Sequence, residues 1–173
     1  DVNGDPVPSA RFMGGREIEL LGERIDRPGT EGLVDVLTRG AMVLPSQIPG
    51  CGPFPASTGR WICRPDDNVE RAAAIALYAA LVADTSLDLI GSCDTLLIEG
   101  RFAGSELFVR ALSRLRPDTQ LYTAGAETDV SFGALRLLAP ELVPQNGLVP
   151  AEPLHDDLAA YRHEWHEDTE VFL

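Results

Sequence analysis

The stretch "DTLLIEGRFAGSEL", Asp94 to Leu107, holds three patterns in succession. Thr95, Leu96, Leu97 and Ile98 form a β-branched and aliphatic run that reads as a short buried strand. Gly100 and Gly104 bracket a charged turn. A helical pattern begins at about Ser105 and continues through "SELFVRALSRL". Its apolar residues Leu107, Phe108, Ala111, Leu112 and Leu115 recur at spacings of three and four, which gives one face. In open α/β sheets, ligands sit where a strand ends and the chain turns into a helix. The helix N-terminus there offers unpaired N–H groups and partial positive charge, and glycine lets a ligand approach the backbone. Gly100 and Gly104 could admit a ribose or phosphate edge, with Phe102 or Arg101 stacking on a base. Glycines that serve the turn alone are the plain alternative.

Upstream of this stretch, Asp66, Asp67 or Asn68 caps the strongest helix, "NVERAAAIALYAALVADTSLDLI". Apolar positions almost encircle it from Ala72 to Val82, the mark of a helix buried on most sides. Downstream, Pro117-Asp118 breaks the second helix, and "QLYTA" reads as another short strand. "DVSFGALRLL" is a further helix stopped by Pro140, and after a loop "HDDLAAYRHEWHE" makes a last amphipathic helix. From residue 67 the order is helix, strand, helix, strand, helix, helix. Such alternation implies an α/β fold, a sheet with helices packed against it.

The N-terminal third is less regular. Turn residues precede "RFMGGREIELLGE", where Gly14-Gly15 read as a tight turn feeding a short helix and Arg16 could face a cleft. Thr30 is a plausible N-cap for "EGLVDVLTRG", which Gly40 ends. Residues 41–66 carry Pro45, Pro49, Pro53, Pro55 and Pro65 with Gly50, Gly52 and Gly59 between them. That density predicts an irregular connection, long enough to be functional or packed on a neighbour.

The chain has 173 residues and a formal net charge of −13. Its cations are all arginine and scattered, so nucleic acid and anionic lipid are not expected partners. Without lysine there is no Walker-type phosphate lysine, Schiff base or lysine general base; an Arg-biased genome explains the usage. No apolar run approaches the roughly 18–20 residues that span a bilayer. The start shows no basic and apolar signal regions, and it lacks Met, which suggests processing or a piece of a longer protein. Cys51, Cys63 and Cys93 have neither paired spacing nor even number, which fits reduced thiols and a cytoplasmic location.

Other motifs carry less. "HEWHE" places His163 and His166 three apart, not the four that zinc-binding helices need, so a solvated helix is expected and no metal. Asp66-Asp67 and Asp156-Asp157 are helix-start carboxylates. "STGRW" from Ser57 resembles a phosphate loop but has no helix after it.

From "PVPSARFMGGREIELL" through "DTLLIEGRFAGSELFVRALSRLRP" to "SFGALRLL", the chain resembles the C-terminal, nucleotide-side domain of FGGY-family carbohydrate kinases. The resemblance covers nearly all of residues 1–173 and is weakest over about 22–66. It implies a ribonuclease H-like, actin-like ATPase domain with a mixed sheet, present here in part. In that family the turn after the strand receives the adenosine of ATP and is usually written with two or three consecutive glycines. Here Gly100 is retained, while Glu99, Arg101 and Phe102 depart from the pattern. Gly133 and Ala134 match the small residues of a helix beside the adenine pocket. The resemblance therefore implies Gly100, Arg101, Phe102, Gly104, Gly133 and Ala134 as cofactor-binding residues. It also implies ATP with Mg2+ as cofactors and a sugar or polyol as substrate. The family's first phosphate hairpin lies in an N-terminal domain, which would be the partner of this chain. Its catalytic aspartate and second phosphate loop would lie just upstream, and no residue here matches a catalytic motif. The implied function is ATP-dependent phosphorylation of a sugar or polyol hydroxyl, with this chain alone inactive. A non-catalytic α/β binding or assembly domain is the alternative, and a homodimer is left open.

Overall fold

The computed structural model describes residues 3–22, 29–124, 130–143 and 147–170. The long alanine-rich segment forms α3, Asn68–Leu89, preceded by α1, Gly14–Leu20, and α2, Leu33–Arg39. Asp67 caps α3, its Oδ1 accepting the N–H groups of Val69 at 2.8 Å and Glu70 at 3.0 Å. That satisfies two of the donors that a helix start leaves unpaired. Every residue from Ala73 to Asp84 is buried. The run of alanines lets neighbours come close on all sides, and α4, Glu106–Leu115, α2 and β1, Met42–Leu44, pack against it. By length and composition α3 also meets the requirements for crossing a bilayer, which corrects the expectation that no run approaches that length. Here those residues form the core.

The main sheet has the order β3-β4-β5, with β3 at Thr95–Ile98, β4 at Gln120–Thr123 and β5 at Val149–Pro150. β3 and β4 run parallel, joined by α4 as the crossover, and β5 is antiparallel to β4, so the sheet is mixed. α4 buries the five apolar residues that its spacing predicts. Between β4 and β5 stands α5, Val130–Leu138, and the chain ends with α6, Ala159–Glu170.

Several expectations are corrected. The span 41–66 contains a hairpin, β1 paired antiparallel with β2, Arg60–Ile62. Its prolines stand outside the paired residues, and α6 holds it from a distance. Tyr161 donates its hydroxyl to the Ala41 carbonyl and Trp165 its indole N–H to the Val43 carbonyl, each at 2.8 Å. α2 starts from Gly32 rather than a Thr30 cap. A side chain at Gly32 would lie 3.0 Å from the Glu70 nitrogen, so glycine lets α2 begin against the first turn of α3. α6 begins at Ala159, later than the sequence pattern suggests, where Asp157 accepts the Ala159 N–H. β3 itself is not fully buried: Ile98 is enclosed but Thr95 and Leu97 are exposed, because the described residues cover one face of it.

α3, α4 and α6 are tied by charge. Asp84, fully enclosed, accepts from Arg116 at 2.8 Å and lies 2.7 Å from Arg162. Arg116 also donates to Asp88 and to the Ser92 carbonyl. Burial raises the Asp84 carboxyl above its ordinary range, with Arg162 and Arg116 opposing and Asp88 adding to the rise.

Candidate functional site

At the carboxyl end of β3 the chain passes through Glu99 into a 3-10 turn, Gly100–Gly104, and then into α4. Gly100 has φ +68°, a conformation that side chains with a Cβ adopt at a cost. A Cβ built at Gly100, Gly104 or Gly133 would meet no atom of the described residues within 4 Å.

The two residues between those glycines go separate ways. Arg101 extends outward, its side chain 81% exposed, with its guanidinium 3.9 Å from Glu19 of α1. Arg16 holds the same carboxylate at 3.0 Å. Exposed pairs of this kind contribute little to stability, but they gather two guanidiniums at one edge of the turn. The Phe102 ring turns inward instead, 4.7 Å from Phe108 and 6.5 Å from Phe12 between ring centroids. Gly14 makes that seat available: a Cβ there would lie 2.5 Å from Phe12 and 3.0 Å from the tip of Phe102. Gly14-Gly15 therefore open α1 against two aromatic rings and form no separate tight turn.

Beneath the turn lies a cavity of about 50 Å³ between Gly15 and Ile18 of α1, the alanine side of α3, and Arg101, Phe102, Ser105 and Phe108. Ser105 is 5% exposed, stands at the N-terminus of α4, and its hydroxyl has no partner among the described residues. A buried hydroxyl of this kind calls for a ligand or water to bond with. α1, the opposite wall, is locked in place by Glu17. That carboxylate is 2% exposed and accepts the Tyr78 hydroxyl at 2.6 Å and the Ser46 hydroxyl at 3.0 Å. Burial and the bond to Glu17 push the Tyr78 phenol well above its ordinary pKa, so it stays a donor.

The structure thus brings Arg101 and Phe102 together on one cavity, with Gly100 and Gly104 at the two ends of the same turn. Gly133 and Ala134 lie on α5, exposed and outside the lining of that cavity. Gly15, Ile18 and Ser105 are wall residues that the sequence reading did not assign to the site. The Gly14-Gly15 pair was the one local sign of them. His163 pairs with Glu167 at 3.4 Å, and among the described residues no group of three or more His, Cys, Asp or Glu is gathered to hold a metal.

The chain forms a mixed α/β unit with a glycine turn at a strand end, beside a cavity under a helix N-terminus. The chain belongs to the FGGY family of carbohydrate kinases, whose C-terminal domain pattern matches residues 1–146. Among solved structures, it is similar to a carbohydrate kinase from Novosphingobium aromaticivorans. The two share 54% identity with a TM-score of 0.89, over 98% of this chain and 39% of that one. The chain therefore spans about two fifths of the length of that kinase. No curated protein matches it significantly.

Proposed function

We propose that this chain is the adenosine-side part of a kinase that transfers the γ-phosphoryl of ATP to a sugar or polyol hydroxyl. Its fold is read as a ribonuclease H-like, actin-like ATPase domain, on the strength of the family and of the parallel β3-α4-β4 unit. The observation that carries the reading is the turn itself. At the end of β3 no described residue obstructs the Gly100 and Gly104 backbone, next to a buried Ser105 hydroxyl that has no partner among the described residues. An adenosine could lay its ribose edge on the open backbone, where no side chain stands in the way. Ser105 would supply a hydrogen-bonding group to the ligand, and Arg101 a mobile cation at the mouth. Phosphoryl transfer is chiefly positioning and charge neutralisation, and this chain would position the nucleoside. The described residues present no donor set for Mg2+, which the reading assigns with the phosphates to the remainder of the polypeptide. On the same grounds this chain alone turns over no sugar in a coupled ADP-release assay.

The test is Gly100→Val in the intact kinase. A branched side chain would enter the nucleotide's space and strain the positive φ, at a cost of about 1–2 kcal/mol to the fold. ATP affinity by calorimetry is expected to fall roughly tenfold or more, 1.4 kcal/mol for each decade, in a protein that still melts cooperatively. Gly104→Ala, nearer the start of α4, is the milder control. A folded Gly100→Val kinase that binds ATP like its parent would reduce the turn to a turn and favour the non-catalytic alternative.

A further inference from the structure

Among the described residues, α5 and one face of the main sheet leave apolar side chains bare. On α5 every residue from Gly133 to Leu138 is exposed, Leu137 at 83% and Leu138 at 86%. At 3.6 residues per turn these positions point in every direction around the axis, so this part of the helix has no buried side. Val143, Leu148 and Val149 nearby in the chain are exposed as well. On the sheet, Leu97 pairs with Tyr122 and Tyr122 with Pro150, so the three share one face. It is the face opposite Ile98 and Leu121, whose side chains join the core. Leu97 is 43% exposed there. Among the described residues β3 also lies at the margin of the sheet order, and an edge strand presents a row of backbone groups that can take a further strand.

A helix of nine residues is too short to hold together in water without tertiary packing. Bare apolar surface of this extent on a helix and on a sheet face marks places where another polypeptide sits. We infer that α5 and the Leu97–Tyr122–Pro150 face form an apolar interface with the remainder of the kinase polypeptide. Two observations choose that occupant. This chain covers 39% of the similar kinase, so a polypeptide larger than itself has still to find its seat. A second copy is disfavoured by charge, since each copy carries a formal −13. The inference rests on the kinase-domain reading, and its test uses neither ATP nor sugar, so either can fail alone.

The experiment is done on the intact kinase. Leu137→Cys is labelled with a maleimide and read at that peptide by mass spectrometry, against the same protein in denaturant. Amide exchange over residues 130–138 is followed in the unmutated kinase, which covers the case of a variant that does not fold. Expected is at least tenfold slowed labelling and clear amide protection, both independent of protein concentration and present in a monomer by light scattering. Labelling as fast as in denaturant, or unprotected amides in the unmutated protein, overturns the inference. Protection that fades on dilution together with a dimer overturns it too, in favour of a second copy.

Discussion

α3 and α5 are built from the same kinds of residue and end in opposite surroundings. α3 reads Ala-Ala-Ala-Ile-Ala-Leu-Tyr through Ala72–Tyr78, α5 reads Gly-Ala-Leu-Arg-Leu-Leu through Gly133–Leu138. In α3 the side chains from Ala73 to Asp84 are enclosed by α2, α4 and β1. In α5 the leucines stand in the open. Apolar composition states what a helix needs, and the rest of the chain decides whether the need is met. α3 meets it locally, because its alanines let three neighbours within reach. α5 would meet it against polypeptide that these residues do not include.

The largest test of that contrast is Leu77→Asp. It would leave a carboxylate without a cation in the middle of α3, lowering stability by roughly 3 kcal/mol or more. The same change at Leu135 of α5, half exposed already, is expected to stay within about 0.5 kcal/mol in this chain. Urea melts of the two variants decide it, and equal losses would show that the helices are not in different surroundings. A middle-sized effect is expected where α1 meets the turn. Gly14→Val would drive a branched side chain into the Phe12 and Phe102 rings, an overpacking cost of about 1–3 kcal/mol. If Phe102 holds the turn in place, ATP affinity of the intact kinase should fall with it; unchanged melting and binding would show the rings are free to yield.

The smallest effect is a pH dependence inside α3. Asp84 has a raised folded pKa, so the folded state holds its proton more tightly than the unfolded chain does. Its contribution is therefore most favourable below the ordinary value of 3.8 and declines as pH climbs from there through the folded pKa. Asp84→Asn removes the titration. The stability gap between parent and Asp84→Asn should shift toward the variant as pH rises from about 3 to 6. A shift toward the parent would mean that Arg116 and Arg162 hold the carboxyl below its ordinary range.

Elements whose signals are local were legible. The Asp67 cap, the apolar face of α4, the short β3 run and the Gly40 stop each depend on residues within a few positions. The hairpin of β1 and β2 was not, since its strands are three residues each and lie among prolines. What holds it is Tyr161 and Trp165, more than a hundred residues further on. The site divides in the same way. Its turn could be found from Gly100 and Gly104, but its far wall comes from α1, and the inward swing of Phe102 depends on the absence of a side chain at Gly14.

Which of the longer segments become helix, and the Asp67 and Gly40 boundaries, follow from neighbours in the chain, through periodicity, capping and glycine. Which faces are covered does not. Leu97 and Leu77 are the same residue type in equally apolar runs, and one is open while the other is enclosed. Burial is a matter of what arrives from elsewhere: alanine spacing around α3 admitted close partners, and the outer face of β3 received none among these residues. The Ser105 hydroxyl has the same origin: the cavity it lines takes its walls from α1, α3 and α4, and no described residue supplies it a bond.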